Sequence, residues 1–192
     1  LTSIQENAVK PIEPVFLDFK KDMSQLTAKS DIPVLYKQNT TNDLFQLIYV
    51  FDMGNNNDKA LGTAFDYLEY LGTSDMTPEE LKSEFYRLAC TFYVSPGNER
   101  TYVVLSGLNE NMPAAMQLFE KLLADAQVNK EAYNNLVGDI LKARADAKLN
   151  QGQNFSRLMN YAMYGPKSPA TNLLTEAELA SMNPQELVDR IH

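Results

Sequence analysis

Hydrophobic positions along this chain switch between two spacings, and the switches divide it into elements. The run LFQLIYVFDMG is dense in aromatic and β-branched residues and closes on Gly54, which predicts a strand. IPVLYKQ ahead of it predicts a second strand, with NTTND as the turn between them. Further upstream, PIEPVFLDF gives a short strand near Val15 to Phe19, and KKDMSQLTAKSD reads as a linker or irregular helix. After the polar break GNNND, Leu61, Ala64, Phe65, Leu68 and Leu71 recur at the spacing of a buried helical face. They predict a helix from about Asp58 to Leu71 that stops at Gly72-Thr73.

Thr77-Pro78-Glu79-Glu80 predicts the next helix start: Thr77 caps, Pro78 suits the first turn and Glu80 completes a capping box. The apolar face of that helix is Leu81, Phe85, Leu88 and Ala89. TFYV and TYVVLSGL, joined by SPGNER, read as an antiparallel hairpin. Met116, Phe119, Leu122, Leu123 and Ala126 then mark a helix. NKEAYNNLVGDILKARADAKLN marks a longer one, with the stripe Tyr133, Leu136, Val137, Ile140 and Leu141. After a break at QGQN, FSRLMNYAMYG forms a shorter helix ended by Gly165-Pro166, and KSPATN is a loop. Two short helices start at Thr175 and Asn183, both with capping-box letters.

The order is strand, strand, helix, helix, strand, strand, helix, helix and a helical tail. It predicts an α+β domain with an antiparallel or mixed sheet covered by helices on one face. Single strands alternating with single helices, as a doubly wound parallel sheet requires, are absent, and no internal repeat occurs.

Composition narrows the function. At 192 residues, 44% hydrophobic and 22% charged, the chain suits one globular domain with a real core. Residues 1–30 read as a linker or N-terminal arm, and residues 31–192 as the domain. A net charge of -8 opposes nucleic-acid binding, which needs clustered Lys and Arg; Lys20-Lys21 is an isolated, solvated pair. No apolar run approaches the roughly 18 residues of a membrane span, so no membrane partner is expected. No signal peptide is visible. The chain opens on Leu1 and stops inside the helical NPQELVDRIH, so it reads as a fragment of a longer polypeptide, with its compartment undetermined.

Candidate chemistry is sparse. Cys90, at the end of the helical pattern SEFYRLAC, reads as a small buried hydrophobe. The single histidine, His192, is the last residue, so a Ser-His-Asp or Cys-His arrangement would hang on a frayed terminus and a two-His zinc site cannot form. No acidic loop has calcium-binding spacing.

The string LEYLGTSDMTPEELKSEFYRLACTFYVSPGNERTYVVLSGLNENMPAAMQLFEKLL resembles the M16 family: insulinase, pitrilysin and mitochondrial processing peptidase. The shared wording is a helix ending in an L-G-T-like step, a capped helix, a strand pair with a G-N-E-R-T-like turn, a G-L step and a Leu-rich helix. The resemblance runs from about Ile32 to the C-terminus and implies a LuxS/MPP-like metallohydrolase domain. Peptide-cleaving members carry H-x-x-E-H before the L-G-T-like step: two His a helical turn apart bind zinc, and the Glu is general base to the metal-bound water. Here Thr63 and Tyr67 stand at the histidine positions and Asp66 at the base. The window for the third ligand, Tyr133 to Ala143, holds Asp139 but no Glu. The resemblance therefore implies a degenerate site: no catalytic or metal-binding residue in this chain, and zinc in a partner domain. Tyr67 and Tyr70 then read as half-buried packing residues with polar tips in water.

M16 enzymes are similar to clamshells whose C-terminal half opens with a domain lacking the zinc motif, and the resemblance implies that role. The expected function is a non-catalytic wall of a peptide chamber, opposite a zinc-bearing catalytic domain in the same polypeptide or a second subunit, with a peptide as substrate. The chain's negative charge favours basic peptides. The Arg and Tyr that the family's second half brings near the catalytic centre fall in a later segment, so Arg157 and Tyr161 read as parts of an amphipathic helix. The alternatives are a scaffold module with no role in proteolysis, and an independent enzyme.

Overall fold

The computed structural model describes residues 13–14, 16–168 and 171–192. Its contacts fall into two units, 1–42 and 43–192.

The first unit holds a short helix α1 (Phe19–Asp22) and an antiparallel ribbon of β1 (Ser24–Thr27) and β2 (Pro33–Tyr36), paired from Ser24↔Tyr36 to Thr27↔Pro33. The strand expected near Val15 to Phe19 is corrected at Phe19. Asp18 accepts the Lys20 amide as an N-cap and starts a helix there, while Val15 lies outside the described residues. The stretch read as linker or helix supplies β1, because Ser30 and Asp31 take positive φ (62° and 58°) and fold the chain back on itself. None of this unit's described residues is buried.

The second unit is built on β3 (Leu44–Phe51), β4 (Cys90–Pro96) and β5 (Thr101–Leu108), in the order β3-β5-β4 with both pairings antiparallel. β3 therefore pairs with the distant β5, and β2 belongs to the other ribbon. The hairpin of β4 and β5 forms as the sequence predicts. In register across the three strands, Phe45–Gly107–Cys90, Leu47–Leu105–Phe92 and Tyr49–Val103–Val94 share the inner face. The helices against it include α2 (Leu61–Leu68), α3 (Pro78–Arg87) and α4 (Met112–Asp125). Ring contacts join the layers: Phe85–Phe92 at 5.1 Å, Phe92–Phe119 at 4.9 Å and Tyr49–Phe119 at 6.5 Å between centroids. The chain continues as α5 (Lys130–Leu149), α6 (Gln151–Tyr164), α7 (Glu176–Ser181) and α8 (Pro184–Ile191). The result is the expected α+β arrangement, with helices covering one face of an antiparallel sheet.

Local chemistry sets the boundaries. α2 begins at Leu61, later than its apolar stripe suggests, because Asp58 takes the Ala60 amide and holds the preceding turn. Beyond α2, Gly72 is required: a Cβ there would stand 2.3 Å from the Met76 carbonyl oxygen. Gly107 is required too, since its Cβ would meet Cys90 Sγ at 2.4 Å. α3 carries the full capping box between Thr77 and Glu80. Ala89 adopts φ 49° and ends that helix exposed, so Cys90 opens β4 instead of closing the helix, and is buried as predicted. QGQN is no break: Asn150 accepts the Gln153 amide, and the stretch is the first turn of α6. Thr175 forms a second capping box, whereas Asn183 caps Gln185 without the reciprocal bond.

Candidate functional site

Helix α2 carries the three positions singled out in the sequence. Thr63 is half-buried, Asp66 is exposed and Tyr67 is fully buried. Tyr67 does not keep a polar tip in water. Its hydroxyl donates to the Asn129 carbonyl (2.7 Å) and accepts from the Asn129 amide (2.9 Å), tying α2 to the residue that caps α5. Its ring meets Tyr133 edge-on at 5.7 Å, and the Tyr133 hydroxyl donates to the Leu179 carbonyl at 2.6 Å. Tyr70 does stay partly exposed, with Lys82 Nζ 5.8 Å from its ring centre. Although Asp66 as a residue lies at the surface, its carboxyl is raised above the usual range, by desolvation against the surrounding protein first and the Glu69 charge second.

The remaining candidates are dispersed. Asp139 is exposed on α5, and α6 carries Arg157, half-buried, and Tyr161, exposed. Burial pushes the Cys90 thiol up, and its Sγ lies 3.3 Å from the Leu88 carbonyl, so it has the character of a packing group and not of a nucleophile. Among the described residues, no three His, Cys, Asp or Glu side chains converge as a metal site. A cavity of about 380 Å³ lies among Leu71, Leu81, Phe85, Cys90, Phe92 and Leu122; Glu69 and Lys82 also line it.

The feature the sequence reading missed is the other face of the sheet. Its rows are Gln46–Ser106–Thr91, Ile48–Val104–Tyr93 and Val50–Tyr102–Ser95, with Leu44 opposite Leu108 at one end. Ile48 is 47% exposed, Val50 54% and Tyr93 49%, while Val104 is covered by the bulky neighbours its central strand gives it. No position in these rows is charged. The first charges stand at the far end, where Arg100 Nε donates to Asp52 Oδ1 at 2.8 Å. The signal was present in LFQLIYVF, where both alternating sets are largely apolar, as in a strand covered on two sides.

The fold is similar to those of solved peptidase structures. Over 89% of its length the chain superposes, at a TM-score of 0.74 and 15% identity, on 43% of a peptidase M16 inactive domain from Pseudomonas fluorescens. It likewise matches 20% of the periplasmic protease PqqL from Escherichia coli (90% of this chain, TM-score 0.73, 15% identity). A third match is to 22% of the ferredoxin protease FusC, solved with Arabidopsis ferredoxin (97% of this chain, TM-score 0.74, 13% identity). The chain thus spans less than half of each of these proteins. No family model and no curated protein matches the sequence. No helix among the described residues is long and apolar enough to cross a membrane.

Proposed function

We propose that this chain is a non-catalytic domain of an M16-type zinc metallopeptidase, whose helix-free sheet face forms the wall of a peptide-binding chamber. The observation that carries the reading is that face: uncharged, with Ile48, Val50, Tyr93 and Tyr102 exposed among polar Gln46, Thr91 and Ser95, on a fold similar to those of solved proteases and of a peptidase M16 inactive domain. Residues at Thr63, Asp66 and Tyr67 support it. A threonine and a tyrosine do not replace neutral imidazoles as zinc ligands, and here the tyrosine hydroxyl is committed to a backbone bridge. Zinc and hydrolysis then belong to a catalytic M16 domain, fused or separate. Since the face is uncharged, it selects peptides by their apolar side chains, and preference for basic peptides comes from the surrounding acidic chain. Extended segments would lie across the rows of Ile48 and Val50, much as one sheet packs on another.

The test is a titration of the isotope-labelled chain with an unstructured, Leu- and Val-rich peptide, followed by amide chemical shifts. Shifts confined to Ile48, Val50, Tyr93 and Tyr102, and lost in Ile48→Lys, are expected. A chain that binds no peptide on this face, yet still assembles with a zinc-bearing partner, would instead be a scaffold module. Stoichiometric zinc together with cleavage by the chain alone would make it an enzyme.

A further inference from the structure

The cavity among α2, α3 and β4 serves neither the degenerate zinc positions nor the outer sheet face. Its floor is apolar: Leu68 ends α2, Leu71 follows it, Leu81 and Phe85 come from α3, Phe92 from β4 and Leu122 from α4. All of these except Phe92 are buried. Native interiors hold few voids larger than a water molecule, so about 380 Å³ of such space is more than packing slack. It falls in the size range of ligand pockets, which join an apolar lining to a few polar groups.

The polar groups stand at its mouth. Leu81, Lys82, Phe85 and Tyr86 share one face of α3, so the same helix supplies floor and rim. Lys82 and Tyr86 are exposed, and so is Glu69 at the end of α2. Among the described residues neither Lys82 nor Glu69 forms an ion pair, and they do not pair with each other. The Lys82 ammonium rests 5.8 Å from the centre of the Tyr70 ring. An apolar floor is thus edged by a cation and a carboxylate, both open to a ligand.

We propose that this cavity binds a small zwitterion with one bulky apolar group, a free amino acid of the phenylalanine or leucine kind. Its side chain fills the space among Leu68, Leu81, Phe85 and Leu122, its carboxylate meets Lys82 and its ammonium meets Glu69. An apolar cavity of about 150 Å³ already takes up benzene, so the space here has room for one such side chain. A fatty acid would set a second carboxylate near Glu69, and an apolar amine a second ammonium near Lys82. Each of those answers only one of the two rim charges. The site is separate from the outer sheet face and stands whether or not that face holds peptides.

The test uses the isotope-labelled full chain and four probes: L-phenylalanine, phenylpropionate without the ammonium, phenethylamine without the carboxylate, and glycine without the side chain. Amide shifts at Leu71, Leu81, Phe85 and Phe92 are expected with phenylalanine and not with glycine. Exposed ion pairs are individually weak, so each singly charged analogue should bind about twofold to fivefold less tightly than phenylalanine. Lys82→Gln should weaken phenylalanine and phenylpropionate and leave phenethylamine unchanged. Glu69→Gln should weaken phenylalanine and phenethylamine and leave phenylpropionate unchanged. Both side chains are exposed, so neither substitution threatens folding. Absence of these shifts with phenylalanine up to its solubility limit would overturn the proposal. So would a singly charged analogue that binds as tightly as phenylalanine, or variants that leave all affinities unchanged.

Discussion

Two tyrosines show how differently a buried hydroxyl can stand. Tyr67 bonds both backbone groups of Asn129, so Tyr67→Phe removes two bonds at once; the carbonyl keeps the Tyr133 amide as a donor, but the Asn129 amide loses its hydroxyl acceptor. The expected loss is about 1–3 kcal/mol of unfolding free energy by urea titration, and an unchanged midpoint would show that the bridge carries no weight. Tyr49, on the inner sheet face beside Phe119, buries a hydroxyl with no hydrogen-bond partner among the described residues, and burial raises its pKa. Tyr49→Phe deletes that unmet group and keeps the ring, so it should be neutral or stabilising by up to about 1 kcal/mol in the same assay. A clear loss would mean that a hidden partner exists. Neither state was legible in the sequence. The letters put Leu61, Ala64, Phe65, Leu68 and Leu71 on the buried stripe of α2 and read Tyr67 as half-buried beside it; the partner that draws its tip inside lies at Asn129, and nothing near Tyr67 announces it.

At the scale of elements, the C-terminal helices are fastened to the turn before α2 by charge. Lys59 pairs with Glu178 on α7, and Arg190 on α8 donates to Asp58 at 2.8 Å. The Lys59 ammonium first, then the Thr175 amide and hydroxyl, push the Glu178 carboxyl from its ordinary 4.5 down to about 2. Asp58, although partly buried, is also held below the usual range, by the Ala60 amide and Arg190. Both folded pKa values lie below the unfolded ones, so their stabilisation is fully present above about pH 4.5 and is lost as pH falls toward 2. Amide exchange in α7 and α8 should therefore accelerate across that window before the sheet is affected. Glu178→Gln should start faster and show a shallower dependence. Equal acceleration in β5 would mean that acid acts globally and not through this fastening. Elements whose signals are local were readable here: Thr77 and Thr175 cap their helices as their letters say, and the β4–β5 hairpin forms as spaced. Elements decided by distant partners were not. QGQN has the composition of a loop, yet Asn150 caps it into α6, and β3 chose β5 over its sequence neighbour β2 because that pairing completes the inner face of the core.

For the whole molecule, the distribution of burial matters more than the count of elements. Every buried side chain among the described residues lies at Phe45 or later, and residues 16–42 contribute none. Hydrophobic stabilisation scales with apolar area removed from water, so the free energy of folding resides in the second unit. The β1–β2 ribbon is a lone two-stranded pair, a form only marginally stable in water. A chain beginning at Asp43 should consequently unfold cooperatively, with a Tm within a few degrees of the full chain's. The ribbon's amides should exchange much faster than those of β5 in the full chain. A large drop in Tm on truncation would place part of the stabilising surface in residues 1–42. An unchanged Tm would make 43–192 the smallest folded form on which the sheet face and the cavity can be probed separately.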